Sequence, residues 1–120
     1  MRIIFCGYGR AALECLYQLT GNYDIKPSDI MVFTYDTSEN EEFVNHLKVN
    51  NIRLTYDNVN SSLDLIREFC PDCVLSVYYR HILSIDILNI VNNKAMNLHP
   101  SLLPAYKAAK SSVWAILNHE

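Results

Sequence analysis

Asn97 and His99 lie two residues apart near the end of a short apolar run, which stops at Pro100. If residues 94–99 form a strand, side chains two apart project from the same face, so the amide and the imidazole would point together from the strand's carboxyl end. Open α/β sheets bind their ligands at that end. The pair places a proton-transfer group beside a neutral hydrogen-bond donor, which is what acyl transfer requires.

A second candidate site lies at the start of the chain, in the segment Gly7-Tyr8-Gly9-Arg10-Ala11-Ala12. This segment fits the dinucleotide fingerprint G-x-G-x-x-G/A, and Asp36 lies where a ribose-binding acid is expected. Two other interpretations stay open. The glycines could simply allow a tight turn, or the turn and Arg10 could hold the phosphate of a substrate at a helix N-terminus. We rank both above a dinucleotide site, which would leave Asn97 and His99 without a purpose.

Aromatic and basic side chains are grouped in the segment Ser76-Val77-Tyr78-Tyr79-Arg80-His81-Ile82-Leu83. At the carboxyl end of a strand, such a loop suits a flat heterocycle, enclosed by tyrosine and leucine side chains and recognised by backbone groups. The alternative is a loop whose tyrosine rings pack on the next helix. The residues alone do not decide between the two, and His81 by itself is expected to be a hydrogen-bonded structural residue.

The motif Cys70-Pro71-Asp72-Cys73 has the spacing of a redox pair or of half a zinc site. A zinc site needs a second ligand pair, and Cys6 and Cys15 are not spaced as one. A thioredoxin-type pair opens a helix, whereas Cys70 ends one in this sequence. We therefore predict two buried thiols without a function, and no metal site.

The order of the predicted elements indicates the fold. Strands are predicted over residues 2–6, 29–34, 52–54, 72–77 and 94–99, and helices over residues 11–19, 39–49, 61–69, 86–91 and 111–118, with Ser61 or Ser62 as the cap of the third helix. This alternation predicts an α/β fold with a Rossmann-like, doubly wound, mainly parallel sheet. Residues 1–120 are expected to form a single domain that stops before its last strands, so the sheet is incomplete at the C-terminus.

Composition narrows the class of partner. The net charge is −3, and the 10 Lys and Arg residues are scattered, which argues against nucleic acid as the main partner but leaves room for a phosphorylated small molecule. No segment approaches the roughly 20 apolar residues of a membrane span, and the apolar N-terminus is too short for a signal peptide. We therefore expect a cytoplasmic protein with reduced thiols and no membrane partner.

The segment Asn97-Leu98-His99-Pro100-Ser101-Leu102-Leu103-Pro104 resembles the Asn-x-His-x-Ser-Leu-Leu-Pro signature of the folate-dependent formyltransferases. Residues 77–83 are similar to the loop that receives the pterin in that family, and residues 114–118 to the helix that follows the signature. Residues 56–60 and the triplet Tyr79-Arg80-His81 are closest to the branch that formylates nucleotide-linked amino sugars. The resemblance runs along the whole chain.

The resemblance implies an N-formyltransferase of lipopolysaccharide or O-antigen biosynthesis. Its co-substrate would be 10-formyltetrahydrofolate, its acceptor the amine of a dTDP- or UDP-linked 4-amino sugar, and its full-length form a homodimer. Carried over by position, His99 would be the base that takes the amine proton, and Asn97 would donate a hydrogen bond to the oxyanion. The folate would contact Tyr78, Tyr79, Arg80, His81, Ile82, Leu83, Ser101 and Leu102. The acceptor would contact Gly9, Arg10, Tyr106 and Lys107.

Two departures from the family pattern limit the activity that we expect from these residues. The chain has Tyr106-Lys107-Ala108 where the family usually has Tyr-Arg-Gly, so it keeps the charge but loses the planar guanidinium. The family's Asp that orients the catalytic His has no match before Glu120, so we expect these 120 residues alone to be weakly active or inactive. The alternatives are a formyltransferase acting on tRNA or a purine precursor, a dinucleotide-binding oxidoreductase domain, and a non-catalytic ligand-binding remnant.

Overall fold

A computed structural model describes residues 1–98, which form a five-stranded sheet with helices on both faces. The strands are β1 (Ile3–Gly7), β2 (Ile30–Phe33), β3 (Arg53–Thr55), β4 (Cys73–Val77) and β5 (Ala95–Leu98). Their order across the sheet is β3-β2-β1-β4-β5, and every neighbouring pair is parallel. The predicted α/β class with a Rossmann-like sheet is therefore confirmed.

Side chains that alternate along the strands divide the core into two layers. The helices are α1 (Gly9–Gly21), α2 (Glu41–Val49), α3 (Leu63–Phe69) and α4 (Ile85–Ile90). Ile3 and Phe5 pack in one cluster with residues of α1 and α2, whereas Ile4 and Cys6 pack in the other with residues of α3 and α4. A strand buried on both faces explains why β1 is apolar throughout.

Most predicted elements have the expected place, with boundaries shifted by a few residues. The third helix begins two residues later than predicted, at Leu63, after a separate 3₁₀ turn over Val59–Ser61. Ser62 takes the N-cap position, as predicted, but makes no side-chain cap hydrogen bond, and its hydroxyl donates to the Asn58 carbonyl at 3.1 Å. The predicted helix over 111–118 lies outside the described residues.

The two glycines of the first turn have separate structural reasons. A Cβ on Gly7 would overlap the Phe5 ring and come within 2.8 Å of the Ala12 Cβ, so Gly7 lets β1 and α1 pack closely. Gly9 has φ +74°, a conformation that glycine adopts without the penalty a Cβ brings. Both observations support the interpretation of this segment as a tight strand-to-helix turn.

The prediction of two buried thiols in the C-x-x-C motif was right for Cys73 and wrong for Cys70. Cys70 ends α3 in the left-handed conformation, with φ 55° and ψ 58°, and is exposed. Its Sγ donates to the Arg67 carbonyl at 3.3 Å. Burial raises the pKa of Cys15 and of Cys73 to about 12 and raises that of Cys6 as well.

We expect iodoacetamide to label the folded protein at Cys70 alone. The other three thiols are buried, and their raised pKa values leave almost no thiolate, the reactive form, at mildly alkaline pH. Mass spectrometry of the intact protein should show one adduct in buffer and four in urea, and none in buffer for a Cys70→Ser variant. Labelling of Cys73 as fast as Cys70 would contradict this burial.

Candidate functional site

The crevice between the carboxyl ends of β1 and β4 is the centre of the candidate site. The chain runs from β1 outward to β2 and β3, and then returns to the other side of β1 to form β4 and β5. Parallel sheets bind ligands where the strand order reverses in this way. Gly7 pairs with Val77 in the register, so the turn after β1 and the loop after β4 begin side by side.

Three tyrosines and a histidine form an aromatic cluster in this crevice. The Tyr35 ring stacks on the Tyr79 ring with centroids 5.0 Å apart and meets the Tyr8 ring edge-on at 5.7 Å. The His81 ring lies 5.5 Å from Tyr79 and 6.2 Å from Tyr35. Offset stacks and edge-on pairs are the favoured aromatic geometries, so this cluster joins the ends of β1, β2 and β4.

Arg80 lies against the same cluster. Its guanidinium carbon is 4.9 Å from the Tyr35 ring centroid and 5.4 Å from that of Tyr8, both within the range of cation–π contacts. Its backbone N–H donates to the Tyr35 hydroxyl at 2.8 Å. The side chain is exposed and has no ion pair with any residue in the 1–98 range.

Tyr79 connects the loop after β4 to the 3₁₀ turn over Val59–Ser61. It is only 9% exposed, and its hydroxyl accepts a hydrogen bond from the Val59 N–H at 3.1 Å. Burial raises the pKa of Tyr79, and it also raises that of Tyr35, against the opposing effect of the Arg80 N–H and charge. Both phenols therefore stay protonated at neutral pH, and the packing alternative describes the Tyr79 ring.

The rest of the predicted folate-binding loop is more accessible. Ile82 is 88% exposed, His81 is exposed, and Leu83 is half-buried. Asn60 fixes the loop by donating to the Ile82 carbonyl at 2.8 Å and accepting from the Ser84 N–H at 2.9 Å. Tyr78 starts the loop with φ +62°, a strained value for a non-glycine residue that is often found at functional sites.

The turn predicted to hold the acceptor is bound to the segment that precedes and opens α2. The Gly9 N–H donates to Asn40 Oδ1 at 2.8 Å, and the Tyr8 hydroxyl donates to Glu39. Arg10 pairs with Glu42 at 2.6 Å and with Glu14 at 3.2 Å. The hydrogen bond to Glu42 raises the pKa of Arg10, as does the attraction of both carboxylates. An anion binding at Gly9 or Arg10 would have to displace these partners.

Sequence reasoning missed two residues of this crevice, Tyr35 and Asn40. Asn40 is fully buried, and besides accepting from Gly9 it donates to Thr34 Oγ1 and to the Tyr35 carbonyl, both at 2.7 Å. The signal for Tyr35 was its place directly after a predicted parallel strand, at the ligand-binding end of the sheet. Asn40 had no comparable signal, because it lies inside the helix predicted over residues 39–49, whereas in the structure it precedes α2 and makes no cap hydrogen bond.

Asn97 lies at the same edge of the sheet, on β5. It is exposed and stands opposite Ser76 of β4 in the register, one residue before the end of the strand. The structure thus brings Asn97 beside the strand that carries the predicted folate loop. The other residues predicted for this site, namely His99, Ser101, Leu102, Tyr106 and Lys107, lie outside the described residues.

Two further observations concern metal ions and membranes. Within residues 1–98, no three His, Cys, Asp or Glu side chains are grouped in a way that could hold a metal ion. In the same part of the chain, the helices are too short or too polar to span a bilayer.

Comparison with known proteins indicates the family. Residues 30–120 match the family described as formyl transferase. The chain is 33% identical over 122 aligned residues to the GDP-perosamine N-formyltransferases of Brucella melitensis biotype 1 and of Brucella abortus strain 2308. Each alignment covers 99% of this chain and 47% of the relative, so the chain spans about half the length of the curated relatives it matches.

Proposed function

We propose, because the chain belongs to the formyl transferase family, that it forms part of a site that transfers a formyl group from 10-formyltetrahydrofolate to the amine of a nucleotide-linked sugar. The observation that supports the proposal is the strand order, which sets three predicted groups at the carboxyl ends of the adjacent strands β1, β4 and β5. These are the turn after β1, the loop after β4, and Asn97 on β5.

The chemistry assigned to the chain is a proton transfer and the stabilisation of an oxyanion. His99 would take a proton from the attacking amine, a role suited to an imidazole whose ordinary pKa is about 6.5. The Asn97 amide would donate to the formyl oxygen as negative charge develops on it. Because the amide is neutral, it can serve this role without a competing change of protonation state.

The loop after β4 fits a folate better than it fits a dinucleotide. It offers exposed Ile82, half-buried Leu83 and backbone groups at the strand end next to β5. The dinucleotide interpretation loses its main support, because the Gly9 N–H that would face a pyrophosphate is bonded to Asn40. Gly7 and Gly9 are also explained by packing and by conformation.

The identity of the acceptor is drawn from the relatives. The two Brucella proteins are named for GDP-perosamine, whereas the sugar branch as a whole suggested a dTDP- or UDP-linked amino sugar. We therefore propose a nucleotide-linked amino sugar as the substrate class and treat GDP, dTDP and UDP as the three candidate carriers. This class suits a chain with a net charge of −3 better than tRNA does.

A formyl-transfer assay tests the proposal. The native protein that contains residues 1–120 is incubated with 10-formyltetrahydrofolate and GDP-perosamine, or with a dTDP- or UDP-linked 4-amino sugar, and the products are weighed by mass spectrometry. Residues 1–120 alone, for which little or no activity is expected, are assayed beside it. We expect one acceptor to gain a single formyl group, with matching release of tetrahydrofolate. Folate binding without turnover of any acceptor would favour a non-catalytic ligand-binding protein, and tight NAD binding without folate binding would favour an oxidoreductase domain.

A further inference from the structure

The two arginines of the crevice differ in how their charge is compensated. Arg10, which the sequence assigned to the acceptor, is paired with Glu42 and Glu14. Arg80, which the sequence assigned to the folate, has no carboxylate partner among residues 1–98 and rests against two tyrosine rings instead. A cation–π contact holds a guanidinium in place but leaves its net charge available to an anion.

The geometry of Arg80 suits a phosphate group. Aromatic rings pack on the guanidinium, while its in-plane N–H donors can bind two oxygens of one anion. The Tyr35 hydroxyl also binds the Arg80 backbone N–H at 2.8 Å, so the main chain and the side chain of this residue are held by the same tyrosine.

The direction of the Arg80 side chain favours the acceptor over the folate as its ligand. The guanidinium lies against Tyr8 and Tyr35, which follow β1 and β2, whereas Asn97 lies on β5, on the opposite side of β4. In the proposed function, the formyl group is placed beside Asn97. The charge of Arg80 is therefore displaced away from the reacting end of the site and toward the turn predicted for the acceptor.

We propose that Arg80 binds the diphosphate of the nucleotide-linked sugar and that Tyr35 is its positioning residue. This inference rests on the proposed function for the identity of the ligand. It reassigns Arg80 from the folate to the acceptor, and it leaves Arg10 as a residue that ties α1 to α2.

Calorimetry with nucleoside diphosphates tests the role of Arg80. The probes are GDP, dTDP and UDP, with the matching nucleosides and 5-formyltetrahydrofolate titrated separately. We expect Arg80→Gln to weaken binding of the preferred diphosphate by about tenfold or more, and Arg80→Lys to weaken it less, because Lys keeps the charge but loses the planar fork. The affinities for the nucleoside and for the folate should stay unchanged.

Arg53→Gln is the matched control for Arg80→Gln. It removes the same charge from an exposed arginine that begins β3, an outer strand separated from β4 by β2 and β1, and should leave all affinities unchanged. The proposal is overturned if Arg80→Gln weakens folate binding but not diphosphate binding. A larger loss of diphosphate affinity in Arg10→Gln, or an unmutated protein that binds none of the three diphosphates, would overturn it as well.

Steady-state kinetics test the role of Tyr35. Tyr35→Phe keeps the ring and removes the hydroxyl, whereas Tyr35→Leu removes both contacts with Arg80. We expect the KM for the acceptor to rise in Tyr35→Phe and to rise further in Tyr35→Leu, with little change in kcat. A fall in kcat with unchanged KM values would show a merely structural role and overturn the positioning assignment.

The outcomes for Arg80 and for formyl transfer can be told apart. Diphosphate binding that depends on Arg80, in a protein that formylates no acceptor, would support the Arg80 assignment and refute the proposed function. If the protein formylates an acceptor and Arg80→Gln leaves the KM for that acceptor unchanged, the proposed function is supported and the Arg80 assignment is refuted. Thermal unfolding of each ligand-free variant confirms that the proteins compared are folded.

Discussion

Replacing Asn97 by alanine is expected to lower kcat for formyl transfer by about 10²- to 10³-fold, the usual cost of removing one oxyanion donor. The amide would act only when charge develops on the formyl oxygen, so the KM values for folate and acceptor should change little. Parallel pairing of β5 with β4 uses backbone groups, and the Asn97 side chain is exposed, so alanine should be tolerated in the strand. Single-turnover rates with saturating substrates measure the effect directly.

Asn89→Ala is the control for this experiment. It removes the same amide from an exposed position in α4, away from the sheet edge that carries Asn97, and should leave kcat as it is. Circular dichroism and thermal unfolding should show both variants folded as the unmutated protein is. An Asn97→Ala protein with unchanged kcat would rule out the assigned role of the amide.

Replacing Asn40 by alanine is expected to lower the free energy of unfolding by about 2–4 kcal/mol, because each buried polar group left without its partner costs about 1–3 kcal/mol. The substitution removes one accepted and two donated hydrogen bonds from a fully buried side chain. The groups left behind are the Gly9 N–H, the Thr34 hydroxyl and the Tyr35 carbonyl. Urea unfolding followed by circular dichroism measures the loss.

Two further variants serve as controls for the loss of stability in Asn40→Ala. Asn89→Ala removes an exposed asparagine and should change stability by no more than about 0.5 kcal/mol, as is usual for surface substitutions. Asn40→Asp keeps an acceptor for Gly9 but replaces the amide donor with a buried carboxylate, so it should also be strongly destabilising. If Asn40→Ala unfolds at the same urea concentration as Asn89→Ala, the buried network does not stabilise the crevice.

The fold could be predicted from local patterns because each strand and helix carries its own signal. Apolar runs of strand length alternate with helical spacing, and this alternation allows few arrangements other than a parallel sheet with helices on both faces. The least reliable details were the ends of elements. The third helix begins later than predicted, because residues 59–61 form a separate 3₁₀ turn, which composition does not distinguish from the first turn of an α-helix.

The candidate site was predictable only where one segment carried it. Asn97 lies near the end of its strand, and residues 78–83 form the loop after β4, as the sequence indicated. Tyr79 was assigned to the folate, yet its hydroxyl is bonded to Val59, which lies 20 residues earlier in the chain. The sequence around Tyr79 does not indicate that its hydroxyl binds Val59.

The sequence by itself determined the elements, their parallel arrangement and the edge of the sheet at which chemistry can occur, because hydrophobic period and turn residues are local properties. Only the tertiary structure decided which side chains meet at that edge. Placing β1 between β2 and β4 brings Tyr8, Tyr35 and Arg80 together from three separate loops. The tertiary structure also pairs Arg10 with Glu42 of α2, whereas the charge of Arg80 is left uncompensated by the residues described. Contacts of this kind depend on strand order and loop closure, which no periodic pattern within one segment can encode.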